Sequence, residues 1–145
     1  MALHVRRLEY EDRESFLALL AQLTDIGDDW DDEKWQRVFA RATQCTALHT
    51  FVVESKRQLI GTASVLLEPK FIHGGSMVAH IEDVVVDAQA RGTGVGRLLL
   101  AHCRRFAQNA GCYKIILDCK PELAEGFYAN QGYVQSAVQM RCDLE

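Results

Sequence analysis

At 145 residues the chain is about the size of one domain, so 1–145 reads as a single unit without room for a second catalytic lobe. Hydrophobic residues make up 48% and charged residues 25%, which excludes a disordered, fibrous or low-complexity chain. Sixteen basic against twenty acidic residues give a net charge of −4, and without clustered Lys and Arg no nucleic-acid partner is expected.

Met1 to Tyr10 carries charges where a signal peptide needs an apolar run, and no stretch reaches the roughly 18 apolar residues of a membrane span. A soluble protein, intracellular and cytoplasmic, with no membrane partner is therefore expected. Residues 3–8 open in an extended conformation, and Phe16, Leu19, Leu20 and Leu23 recur at helical spacing, predicting a first amphipathic helix over about residues 10–23. Trp35, Val38, Phe39 and Ala42 repeat that spacing after a loop closed by Gly27, with Asp31 or Asp32 starting the second helix. Residues 49–55 and 58–68 are β-rich runs joined at Lys56-Arg57 and predict a hairpin. Residues 69–76, with Pro and Gly-Gly, form a loop before a strand over 77–87 that is too apolar at its end to be half exposed.

A glycine-rich segment then leads into a helix whose face is marked by Val95, Leu98, Leu99, Cys103, Phe106 and Ala110, ended by Gly111. Residues 113–119 read as a buried strand, 121–131 as a short helix with Pro in its first turn, and 133–144 as a final extended stretch. Consecutive strands followed by alternating helices predict an α+β fold, a mixed sheet with helices on its faces. Cys45, Cys103, Cys112, Cys119 and Cys142 are an odd number without CxxC spacing, which fits reduced, buried core thiols. His80 and His102 have no ligand spacing with Cys103 or Cys119 and read as packing residues, so no metal is expected.

Arg91-Gly92-Thr93-Gly94-Val95-Gly96 lies between a buried strand and an amphipathic helix, where backbone N–H groups converge on a helix N-terminus and favour phosphate. Arg97 and Leu98 follow Gly96, which does not fit a P-loop, and the loop comes too late in the chain for a dinucleotide fingerprint. A glycine turn that merely packs helix on strand stays open on the loop alone. The R-x-x-G-x-G pattern with its flanking strands resembles the acetyl-CoA motif of the Gcn5-related N-acetyltransferase (GNAT) superfamily. HIEDVVVD (80–87), GCYKIILDC (111–119), FYANQGY (127–133) and KFIH (70–73) are similar, in that order, to segments of the glucosamine-6-phosphate N-acetyltransferase family.

That resemblance implies a single N-acetyltransferase domain with a mixed sheet in which strands 78–86 and 113–118 run parallel and splay apart around coenzyme A. Main-chain groups of Val84, Val85 and Val86 would then pair with pantetheine, while Arg91, Gly92, Thr93, Gly94, Val95, Gly96 and Arg97 wrap the pyrophosphate. Glycine at 92, 94 and 96 suits close approach and positive φ, and a bulky residue at Gly94 is expected to hurt most. Tyr128 is similar to the tyrosine that contacts CoA and stabilises or protonates its thiolate, a role a neutral phenol can fill. Glu82 and Asp83 match an acidic pair beside the amino sugar. Neighbours on a regular strand point to opposite faces, so either a bulge intervenes or their roles differ. Asp118 is implied near the amine, Val84 beside the sugar, Lys70, Phe71, Ile72 and His73 at the sugar phosphate, and Thr24 at the same substrate.

The expected reaction is direct attack in a ternary complex, acetyl passing from acetyl-CoA, the co-substrate, to the 2-amine of glucosamine 6-phosphate. This is a step toward UDP-N-acetylglucosamine in amino-sugar metabolism. A superfamily acetyltransferase for a polyamine or a protein lysine is the alternative enzyme, and a non-catalytic acyl-CoA sensor the alternative of another class. The resemblance further implies a homodimer whose C-terminal strand crosses to the partner. Two departures stand out: Leu123-Ala124-Glu125-Gly126 lacks the family's CoA-contacting asparagine, and Arg141, the candidate for the basic residue that reaches the phosphate, sits out of register with Asp143 nearby.

Overall fold

The structure, a computed structural model, describes residues 2–145. Strands β1 (His4–Arg7), β2 (Leu48–Ser55), β3 (Gln58–Pro69), β4 (Met77–Val86) and β5 (Cys112–Leu117) form one sheet in chain order. The first four are antiparallel neighbours, and β5 lies parallel to β4. The β2–β3 turn is made by Lys56 and Arg57, both at positive φ (49° and 65°), the hand that matches the twist of a two-residue hairpin. A parallel pair needs a crossover, and helix α3 (Val95–Asn109) supplies it.

Alternation along the strands sorts the side chains into two cores. On one face Val95, Leu99, Leu100, Cys103 and Ala107 of α3 pack on Phe51, Val53, Ala63, Val65, Ala79 and Ile81. On the other, Leu19 of helix α1 (Arg13–Leu20) packs with Val52, Leu59 and Val85. Helix α2 (Asp32–Gln44) starts at Asp31, whose carboxylate accepts the Lys34 N–H at 2.8 Å in an ordinary N-cap. Its Trp35 is buried among Tyr10, Phe16, Trp30 and Phe39.

Three expectations change. The predicted helix over residues 10–23 is a 3₁₀ turn at Tyr10–Asp12 followed by α1. Asp12 accepts two hydrogen bonds from the Arg6 guanidinium (2.7 and 2.9 Å) and one from the Glu9 N–H (2.8 Å), which tightens the chain there. Only Cys103 among the cysteines is buried; Cys112 is half-buried, and Cys45, Cys119 and Cys142 sit at element ends or in the terminal segment, exposed. The predicted extended stretch 133–144 forms no strand within the chain. Tyr133 is held inward by its N–H bond to the Tyr128 carbonyl (3.0 Å). Beyond it Val134, Val138, Met140 and Leu144 are 85%, 78%, 88% and 94% exposed.

Candidate active site

The parallel β4–β5 ladder ends at the pair Ile81–Leu117, while β4 continues to Val86 on its β3 side alone. Past Ile81 the two strands part, leaving one edge of β4 without a strand partner. The same stretch is bulged. Ser64 faces Glu82 and Thr62 faces Val85, so Ala63 spans both Asp83 and Val84, and Asp83 takes φ +53°. One extra residue reverses the alternation. Ile81, Val84 and Val86 therefore share the α3 face, whereas Val85 joins His80 and Glu82 on the other. Glu82 and Asp83 are thus separated by a bulge, the first of the two arrangements open on sequence.

Beyond the gap, α3 begins with its first N–H groups free. Its N-cap is Gly94, in left-handed conformation at φ 91° and with no side chain to cap the helix. Gly92 (φ 78°) turns the chain the same way, and Arg91 and Arg97 are exposed at the mouth. The glycines differ in purpose. At Gly92 and Gly94 an added Cβ meets nothing within 4 Å, but at Gly96 it would lie 2.9 Å from Phe127 Cζ and 3.5 Å from Val86 Cγ2. Gly96 is therefore a packing glycine within the chain, while at Gly94 the chain itself sets a penalty of backbone strain. Free N–H groups, two arginines and an apolar cleft between strands suit a long ligand with a pyrophosphate and a thin amide-bearing arm.

Tyr128 closes the cleft from the chain that follows β5. Helix α4 (Pro121–Leu123) runs into a π-helical turn at Ala124–Tyr128, a distortion that inserts a residue and re-aims the side chains after it. The ring is 6% exposed and packs edge-on to Phe127 at 5.0 Å and to Tyr133 at 6.1 Å. Burial, helped by Cys119 and Tyr133, pushes its hydroxyl up to about 12. A neutral phenol held there can donate a hydrogen bond to a departing thiolate.

On the face opposite α3 the strands assemble an acidic cluster around His80. Glu68 on β3, His80 and Glu82 on β4, and Asp118 just past β5 occupy adjacent positions of matching parity. His80 Nδ1 lies 3.1 Å from Glu68 Oε2, and its Nε2 lies 3.2 Å from Glu82 Oε1 and 3.4 Å from Asp118 Oδ2. Burial alone would lower the imidazole, but the Glu68 hydrogen bond and the charges of Glu82, Glu68 and Asp118 outweigh it and hold His80 above its ordinary value. Burial pushes Glu82 up; His80 pulls it back, while Asp83, Asp118 and Glu68 add to the rise. Reading His80 as packing missed this. The H-x-E spacing, which puts both side chains on one face of a strand, was the signal that could have found it. His102, by contrast, packs edge-on to Phe51 at 4.6 Å.

The KFIH loop divides. Lys70 Nζ lies 3.7 Å from Glu68 Oε1 and so borders the cluster. His73, at φ +51°, stacks on Tyr113 at 4.1 Å, roughly 16 Å of strand away from Asp118 at ~3.3 Å per residue. Phe71 and Ile72 are exposed. Thr24 follows α1, its N–H donating to the Leu20 carbonyl at 3.2 Å. Arg141 is exposed and pairs with Asp143 at 2.7 Å, so within one chain it does not join the site.

The sequence pattern of the acetyltransferase (GNAT) family matches residues 8–133. The chain is 40% identical over 145 residues to a probable glucosamine 6-phosphate N-acetyltransferase 2 of Oryza sativa subsp. japonica, covering 96% of this chain and 86% of that one. It is 37% identical over 142 residues to the glucosamine 6-phosphate N-acetyltransferase of Trypanosoma brucei brucei, covering 98% and 96%. The crystal structure of glucosamine-6-phosphate N-acetyltransferase from Arabidopsis thaliana superposes with a TM-score of 0.93 at 32% identity, over 100% of both chains.

Proposed function

The chain belongs to the acetyltransferase (GNAT) family, and we propose that it transfers acetyl from acetyl-CoA to the 2-amine of D-glucosamine 6-phosphate. The observation that carries this is the opening between β4 and β5 beyond Ile81 and Leu117, with an acidic cluster on one side and a buried phenol on the other. Relatives at 37–40% identity over nearly the whole chain carry that substrate in their names.

In this reading Gly92 to Arg97 hold the pyrophosphate through main-chain N–H groups and the charges of Arg91 and Arg97. Val84, Val85 and Val86 offer the arm of the coenzyme a strand edge that β5 does not fill. Asp83 bends the backbone there, so the N–H groups beside the bulge are turned toward the thioester carbonyl, where they would stabilise the oxygen as it gains charge. Glu82 and Asp118 receive the amine, and Lys70 reaches toward the sugar phosphate from the rim of the cluster. Attack on the carbonyl forms the C–N bond and breaks the C–S bond, and Tyr128 donates its hydrogen bond to the sulfur that leaves. No acyl-enzyme is required: Cys119 is exposed beside the site with no histidine paired to it among the described residues.

A homodimer belongs to the same proposal. β5 pairs on one side only, and along its outer edge runs a groove of about 430 Å³ lined by Arg104, Tyr113, Lys114, Ile115, Tyr133 and Val134. An apolar terminal segment left in water and an open strand edge are complementary liabilities. A second copy's segment laid against β5 would relieve both, and would bring Arg141 of each chain to the other. Among the described residues no helix is long and apolar enough to cross a membrane.

The deciding experiment is CoA release with acetyl-CoA and either glucosamine 6-phosphate or glucosamine. The phosphorylated sugar should be preferred by at least about tenfold in kcat/KM, the worth of one charge-assisted contact; equal rates would refute a phosphate-directed site.

A further inference from the structure

The acceptor enters at neutral pH largely as an ammonium, and only the free amine can attack, so a proton must leave before the C–N bond forms. Glu82 and Asp118 can receive the ammonium, yet a carboxylate is a weaker base than an imidazole and so a poorer resting place for that proton. His80 stands directly behind them. The ring belongs to the strand next to the gap, its side chain is 18% exposed, and its Nε2 is fully buried and aligned with no hydrogen-bond partner. That atom therefore meets the acceptor only through the carboxylates at 3.2 and 3.4 Å.

Glu68 determines which form the ring takes. With Nδ1 at 3.1 Å from Glu68 Oε2, the Nδ1 proton is committed to that carboxylate, and the neutral tautomer turns a lone pair at Nε2 toward Glu82 and Asp118. A lone pair facing two carboxylate oxygens is repulsive until a proton lies between them. Beyond these, Lys70 touches the far oxygen of Glu68 at 3.7 Å, and Asp83 on the bulge adds its charge to the surroundings of Glu82. Three near carboxylates against one nearby ammonium group leave the surroundings negative, which favours a proton arriving at Nε2.

We propose that His80 is the positioning residue of the acceptor site, oriented by Glu68 to hold, behind Glu82 and Asp118, the proton that the acceptor ammonium gives up. The ammonium loses one proton to a carboxylate, the carboxylate passes it to neutral His80, and the imidazolium returns it to water once the amide product leaves; the nitrogen's second proton, lost as the amide forms, ends on the departing thiolate as the CoA thiol. The inference rests on the acetyl-transfer reading above and adds where the proton goes.

The test is the pH profile of kcat at saturating acetyl-CoA and glucosamine 6-phosphate, whose limbs report groups in the ternary complex. His80→Gln should lose about 10²-fold on the wild-type plateau above the acidic limb and should itself lack that limb, so that the deficit narrows as pH falls and the wild-type ring is already protonated. Its dissociation constant for acetyl-CoA should stay within about twofold of wild type. Glu68→Gln should move the acidic limb to lower pH, because the ring loses the charge that holds its proton. A merely structural role would lower kcat by one factor at all pH values and leave the Glu68→Gln limb in place, and that result would overturn the inference. If His80→Gln fails to fold, the Glu68→Gln limb decides alone. A wild-type enzyme with no turnover of glucosamine 6-phosphate would overturn the proposed substrate and this inference with it, whereas active enzyme with parallel profiles overturns this inference only.

Discussion

Gly96→Ala tests how the start of α3 is seated against the turn that carries Tyr128. The new Cβ would sit 2.9 Å from Phe127 Cζ and 3.4 Å from Cε2, against carbon–carbon separations of about 3.5–4.0 Å at rest, so the ring must yield by roughly 0.6–1.1 Å. Overpacking of that size costs about 1–3 kcal/mol. Because Gly96 lies inside a helix and has no positive φ, the same substitution gains roughly 0.8–1 kcal/mol of helix propensity. The net expectation is a loss of up to about 2 kcal/mol, or roughly 2–8 °C in Tm for a domain of this size. In a Phe127→Leu background the ring tip is gone and only the propensity gain remains, so Gly96→Ala should there raise Tm. Thermal unfolding of the four proteins of this cycle gives the coupling directly, expected at about 1–3 kcal/mol. Phe127 packs edge-on to Tyr128, so Gly96→Ala should also lower kcat in the wild-type background. A Tm change of one sign and size in both backgrounds would refute the reasoning.

Tyr128→Phe should reduce kcat by about 10²-fold with acetyl-CoA affinity retained; because burial holds the hydroxyl near 12, wild-type kcat should show no phenol limb up to about pH 10, and steady-state rates across pH check both. Lys70→Ala should raise KM for glucosamine 6-phosphate by about tenfold to over a hundredfold, the equivalent of 1.5–3 kcal/mol, while His73→Ala, with its ring stacked on Tyr113, should change KM less; initial-rate kinetics with each variant separate them. Asp12→Asn should destabilise the fold by about 1–3 kcal/mol at pH 7. The Arg6 hydrogen bonds hold the Asp12 carboxyl below its ordinary value, so that stabilisation is complete above about pH 5 and is lost as pH falls through the lowered pKa; urea unfolding of both proteins at neutral and acid pH should show the gap closing. Light scattering at micromolar concentration should give a dimer, and a chain ending at Gly132 a monomer.

Much of the fold could be read from local pattern, because periodicity and turn residues act over a few positions. The hairpin at Lys56-Arg57, the N-cap at Asp31 and the helix from Val95 all stand within a residue or two of where they were expected. The ends of elements were less legible. The first helix is cut short by Arg6 reaching across from β1 to Asp12, a partnership that spacing cannot announce. The terminal segment 133–144 has the composition of a strand but pairs with none inside the chain.

The site divides along the same line. The sequence by itself determined which chemistry was present: a glycine turn at a helix start, an acidic pair in an apolar strand, a tyrosine after an aromatic neighbour, and the family these segments resemble. Only the tertiary structure decided how they meet. The bulge at Asp83 exists in the register of β4 against β3, Gly96 is constrained by a phenylalanine thirty-one positions later, and of two residues three apart, His73 stacks on Tyr113 while Lys70 lies beside Glu68. His80 gained its three carboxylates from three strands or their ends. Backbone propensity and spacing are properties of neighbouring residues, whereas charge coupling and steric fit depend on distance through space, which the chain sets only once it has folded.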